Sequence, residues 1–208
     1  MADSAGPGMA DEWWLIQDAA EWDRSDDARK MRRTLRKRWP GPEADLDHRL
    51  RRYCLACCRR IWPLLPGDPI RMLIEAAERY VEVQDSREKS EVLGDLIELA
   101  YHEYINVLEG EDHRDSGRVT YWSREITRIP PDKLRKLLLI PGDKPIASPV
   151  EILLDAARFA IDAARSWFLY TTMSTAWHER FLTTHLLREE FGNPFTSTFV
   201  EMRPSRRV

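Results

Sequence analysis

The stretch YCLACCRRIW, Tyr53 to Trp62, decides how the rest of this chain is read. It holds all three cysteines, two of them adjacent, then Arg59, Arg60 and Trp62. Clustered cysteines suggest metal or redox chemistry. Placed on a helix, however, Leu46, Leu50, Cys54, Cys57, Cys58 and Ile61 recur at spacings of three and four and make one apolar stripe. A free cysteine packs as a small hydrophobe. The spacing therefore predicts a helix over Ala44 to Leu64 with its thiols inward and Arg59 and Arg60 on the opposite side.

The metal reading names Cys54, Cys57 and Cys58 as candidate ligands, with a distant histidine as the fourth. A structural zinc site takes four Cys or His ligands. Its usual Cys-x2-Cys pair lies on a tight turn and is matched by a second pair, which this sequence lacks. A dithiol redox motif belongs at a helix start in a βαβ setting, not in the middle of a helix. The burial reading is favoured, and no cofactor is expected.

Working outward, helical periodicity dominates and almost nothing alternates with period two. A first helix is expected over Asp11 to Trp22, after a flexible arm at 1–10. The next has Ser25 as N-cap, Met31 and Leu35 as apolar contacts, and WPGP (Trp39 to Pro42) as its stop. A fourth covers Pro69 to Val83, capped by Asp68, and a fifth covers Ser86 to Leu108, with Gly110 as its stop. EGEDHRDSGR, from Glu109, is a polar loop and the expected weak joint at 110–118. Helices follow over Val119 to Thr127 and from Pro131, then a linker, IPGDKPIASP. Ser148, Pro149 and Glu151 form a full helix-start signature. A final helix over Thr175 to Glu190 ends at Gly192, a left-handed cap, with Pro194 beyond. The expectation is an all-α, compact multi-helix bundle: one domain over 11–195, with a tail at 196–208.

A chain of 208 residues suffices for one core without disulfides. No run approaches eighteen apolar residues, so no membrane span is expected. The start, MADSAGPGMADEWW, lacks a basic segment and an apolar core, so no secretory leader is expected. Three clustered cysteines fit a reducing cytoplasm.

Catalytic signatures are missing. His48, His102, His113, His178 and His185 are scattered. No HExxH, paired Glu-x-x-His, phosphate loop or G-x-S-x-G motif occurs. A metal-dependent enzyme using Cys and His ligands ranks third among the readings.

Charge is polarised. Net charge is −3 overall, yet by count Arg24 to Trp62 carries 13 Lys or Arg against 5 Asp or Glu. Candidate contacts to a protein or nucleic-acid partner are Arg29, Lys30, Arg32, Arg33, Arg36, Lys37, Arg38, Arg52, Arg59 and Arg60. A competing reading docks this patch on the chain's own acidic helices, such as EVLGDLIELAYHEY. Among eight tryptophans, Trp13 and Trp14 are the candidate partner contacts, since Trp and Arg anchor interfaces.

RLRRYCLACCRRIWPLL followed by IEAAERYVEV, together with HLLREEFGNPF (His185 to Phe195), resembles an uncharacterised paralogous family from planctomycete bacteria. That family is marked by a CCRRIW helix and a C-terminal LLRxxFGNPF signature. The lead-in EWDRSDDARKMRRTLR is a looser match, and Val81-Glu82-Val83 departs from the family's turn-like ending. The resemblance implies a helical fold and no activity. The two signatures are expected to pack together. The leading functional expectation is a non-enzymatic helical interaction module or assembly subunit; nucleic-acid binding through residues 29–60 is the alternative.

Overall fold

Leu46, Leu50, Cys54, Cys57, Cys58 and Ile61 are all buried, as the helical spacing requires. The structure is a computed structural model that describes residues 15–81, 87–109, 116–140, 144–164 and 181–196. Among these residues every regular element is helical and none is a strand: α1 (Ala19–Arg24), α2 (Ala28–Arg38), α3 (Glu43–Arg60), a 3₁₀ turn (Trp62–Leu64), α4 (Asp68–Tyr80), α5 (Arg87–Glu109), α6 (Ser116–Thr127), α7 (Pro131–Leu138), α8 (Pro149–Ala164) and α9 (Thr184–Phe191). The fold is the expected all-α bundle.

The centre of the bundle is α8. Ile152, Leu153, Ala156, Ala157, Phe159, Ala160, Ile161 and Ala163 are buried and leave a single polar stripe of Glu151, Asp155, Arg158 and Asp162, in which Asp162 is itself buried and paired with Arg158 at 3.1 Å. Such a helix must be enclosed, and α3, α4, α5 and α6 all pack against it. On its other side, α3 meets α9, which also touches α2. Thus α3 lies between the central helix and the C-terminal one. The two helices lie side by side: Arg49 and Arg52 meet Glu190 of α9, while Cys57 and Arg60 of CCRRIW meet Thr183 and Phe181, just before LLREEFGNPF rather than within it.

Local chemistry sets the helix ends, and several differ from the sequence expectation. The first helix begins at Ala19, not Asp11, and runs on to Arg24, because the Asp18 carboxylate accepts the Glu21 amide at 2.7 Å. Before it, the Ile16 amide donates to Thr34 Oγ1 at 2.9 Å, which holds this segment off the helical path. Residues 11–14 of the expected helix, and the arm at 1–10, lie outside the described residues. The N-cap of α2 is Asp27, whose carboxylate accepts the Lys30 amide at 2.8 Å; Ser25 instead closes α1. A carboxylate there also complements the helix dipole.

The third helix stops at Arg60, and Trp62–Leu64 tightens into a 3₁₀ turn because Pro63 has no N–H for the α pattern. Gly67, not Asp68, caps α4, at φ 66°. A Cβ at Gly67 would also lie 2.8 Å from Glu103 Oε1, so glycine is required on two grounds. The fourth helix ends at Tyr80 rather than Val83; Ser86 and Gly110 lie outside the described residues. Helix α6 starts at Ser116, inside the expected polar loop; 110–115 is not described.

At α8 the expected capping box is present. Ser148 Oγ accepts the Glu151 amide at 3.2 Å, and Glu151 Oε2 accepts the Ser148 amide at 3.1 Å. The last helix starts at Thr184, because Leu182 and Thr183 precede it as non-helical backbone; residues 175–180 of the expected helix lie outside the described residues. Gly192 has the expected positive φ of 66°, but its ψ of −155° places it in a region open essentially to glycine alone. Asn193 then donates to the Ala19 carbonyl at 3.2 Å and to Asp23 Oδ1 at 3.0 Å, fastening the C-terminal turn to α1.

Phe191 is fully buried, edge-on to Trp39 at 6.1 Å between ring centres. Phe191→Ala is expected to destabilise the protein by about 3–5 kcal/mol, read as a lower denaturant midpoint. An unchanged midpoint would show that α9 is not part of the cooperative core.

Candidate functional site

Polar or reactive groups concentrate in the thiol and arginine cluster of α3, in the basic run of α2 and α3, and on the outer face of α5.

Cys54, Cys57 and Cys58 are free and fully enclosed. Burial pushes the Cys54 thiol up to about 12, opposed by Arg32, and the Cys57 thiol up to about 11, opposed by the Thr183 amide and Arg60. Burial likewise holds Cys58 well above the ordinary thiol range, with Cys57 and Cys54 adding to it. Thiolate is both the nucleophile and the metal ligand, and these sites oppose its formation. Among the described residues, no group of three or more His, Cys, Asp or Glu side chains is arranged to hold a metal ion. The three cysteines are placed as core.

Arg60 behaves differently from the expected outward-facing contact. It is half-buried, and its guanidinium donates to the Leu137 carbonyl at 2.6 Å and the Phe181 carbonyl at 2.8 Å. Burial lowers its pKa, offset by Cys57 and Tyr53, but an arginine remains a cation in a protein. It ties the end of α3 to the end of α7 and to the segment before α9. Arg59 does face solvent, where it grips Glu78 of α4 with two bonds of 2.8 and 2.6 Å and lies 4.1 Å from the Trp62 ring centre.

The remaining nominated cations are largely engaged within the chain. Arg32 is buried on the inner side of α2. Lys30 pairs with Glu21, Arg36 approaches Asp47 at 3.9 Å, and Arg52 approaches Glu190 at 3.5 Å. Arg38 lies 4.2 Å over the Phe195 ring. Arg29 is half-buried; Arg33 and Lys37 are exposed on α2. The carboxylates that receive these cations stand on α1, α3, α4 and α9, whereas the sequence reading offered the acidic segment of α5. Trp13 and Trp14 lie outside the described residues.

The α5 segment presents a further surface, one formed only in the folded chain. Between residues 91 and 105 only Ala100 and Glu103 are buried. Leu99 is 52% exposed and Tyr101 38%. Glu91, Asp95, Glu98 and His102 are exposed and recur at helical spacing along one outer stripe. Gly94 lies beside them, and a Cβ added there would meet nothing within 4 Å. The signal in the sequence was a glycine inside a long helix, flanked by acidic residues at one-turn spacing.

No protein-family model, curated protein or solved structure matches the chain.

The thiol environment has a pH signature. Unfolded thiols ionise near 8.5, whereas Cys57 and Cys54 in the fold ionise at about 11 and about 12. Between those values the folded state retains protons that the unfolded state has lost. The stability they contribute is therefore complete below about pH 8.5 and falls as pH rises through the folded values. The expected outcome is a denaturant midpoint that declines above pH 9, less steeply in Cys54→Val. An equal slope in both proteins would contradict this placement of the thiols.

Proposed function

We propose that this chain is a non-enzymatic helical protein–protein interaction module, a subunit of a larger assembly, and that α5 presents its docking face. The observation that carries the reading is the outer surface of α5. A helix of 23 residues leaves Leu99 and Tyr101 in water beside a stripe of three carboxylates, with Gly94 among them. Glycine inside a helix costs about 1 kcal/mol relative to alanine, and among the described residues nothing lies within 4 Å of a Cβ added at this position. A partner helix whose backbone comes near Gly94, as no other described helix of this chain does, would give that cost a purpose. The carboxylates favour a partner of positive charge.

No helix among the described residues is long and apolar enough to cross a membrane. The enclosed free thiols fit a cytoplasmic setting. Nucleic-acid binding through residues 29–60 draws weaker support, because many of its cations already meet carboxylates, carbonyls or rings of this chain.

Gly94→Ala separates partner docking from folding. The isolated variant is expected to gain about 0.5–1 kcal/mol, while crosslinked recovery of its partner from the native cell falls. Leu99→Glu, with an unchanged melting temperature, is expected to lose that partner. Equal recovery by wild type and both variants would overturn the assignment of α5.

A further inference from the structure

A concave groove opens where the 3₁₀ turn, the start of α4, the end of α6 and the start of α7 converge. Its volume is about 420 Å³, within the range of small-molecule sites. Three cations from three different segments line it: Arg71 of α4, Arg128 just after α6, and Lys133 of α7. One carboxylate, Glu125, shares the lining and pairs with Arg128. The groove thus keeps a net excess of two positive charges, in a chain whose net charge is −3.

The rest of the lining is apolar and stiff. Pro63, Ile129 and Pro130 form the walls. Proline fixes its own backbone and restricts the residue before it, so these walls resist rearrangement. Tyr121 of α6 lines the same groove and is 55% exposed. Arg71 is oriented from outside the groove, its guanidinium 5.8 Å from the Trp62 ring centre. Trp62 in turn carries Arg59 at 4.1 Å, and Arg59 is held by Glu78. Arg71 thus has a neighbour within the chain, the Trp62 ring, that helps to set its position at the groove.

Guanidinium groups match the oxygens of phosphate as planar forks, and a lysine adds a mobile point charge. A tyrosine ring and proline walls offer apolar contact to a flat group. Both features in one small concavity suit a molecule with an anionic end and a planar end. We propose that this groove binds a small phosphomonoester carried on an aromatic ring system, of nucleoside monophosphate size. The phosphate meets Arg71, Arg128 and Lys133, and the ring lies against Tyr121 and the prolines. This site stands apart from the α5 face, and neither proposal depends on the other.

Isothermal titration of the full chain with adenosine monophosphate, inorganic phosphate and adenosine tests the proposal directly. The monophosphate is expected to saturate the protein in the micromolar-to-millimolar range and to weaken as salt rises. Phosphate alone and adenosine alone are each expected to bind at least about tenfold more weakly. Lys133→Glu and Tyr121→Ala replace exposed side chains, and each is expected to weaken the monophosphate by about tenfold or more at an unchanged melting temperature. Failure of the monophosphate to saturate at millimolar concentration would overturn the proposal. So would equal affinity for phosphate alone, or wild-type affinity in Lys133→Glu.

Discussion

Arg60 stands where three separate pieces of chain must end. The last turn of α3, the last turn of α7 and the segment leading into α9 meet there, and helix ends leave backbone carbonyls without helical partners. One guanidinium donates to the carbonyls of Leu137 and Phe181 together. Arg188 plays the matching part at the other side of α9, donating to the carbonyls of Trp22 and Ser25 at the end of α1. Arg49 reaches the Glu190 carbonyl at 3.1 Å. Charged donors meeting carbonyls make stronger bonds than neutral pairs, and these arginines fasten the N-terminal and C-terminal thirds of the chain around α3.

That arrangement explains why thiols and arginines alternate in one short stretch. With α8 on one side and α9 on another, α3 has little surface to spare. Small side chains fit this enclosed helix, and Cys54, Cys57 and Cys58 serve there, Cys54 near Arg32 of α2, Cys57 against the Thr183 amide before α9 and Cys58 near Glu78 of α4. Long side chains at the end of the helix reach past the packed layer to the carbonyls beyond it. The decapeptide is a structural joint in which Arg59 is exposed but held by Glu78, and further outward-facing surfaces lie on α5 and in the groove beside α6.

Much of the fold was legible because its signals are local. The stripe on α3 and the Ser148 capping box depend on residues within one or two helical turns, and both are present as read. The α2 cap was misplaced by two residues because Ser25 and Asp27 are both good caps, and only the folded chain selects between them. The role of Arg60 was not legible at all. Its acceptors lie 77 and 121 residues away in sequence, so no spacing rule could connect them. The same holds for Arg71, Arg128 and Lys133, which come from different segments and converge only in three dimensions. The α5 face was half legible: its acidic spacing is in the sequence, but its exposure is decided by which helices α8 attracts.

The most direct test of this account is the equilibrium unfolding of Arg60→Met, which retains much of the stem and removes every donor. Loss of hydrogen bonds from a charged donor, with two carbonyls left short of partners, is expected to cost about 2–4 kcal/mol. The expected result is a denaturant midpoint lowered to that extent, with helical content retained before the transition. A midpoint equal to wild type would contradict it and return Arg60 to the role of a surface contact.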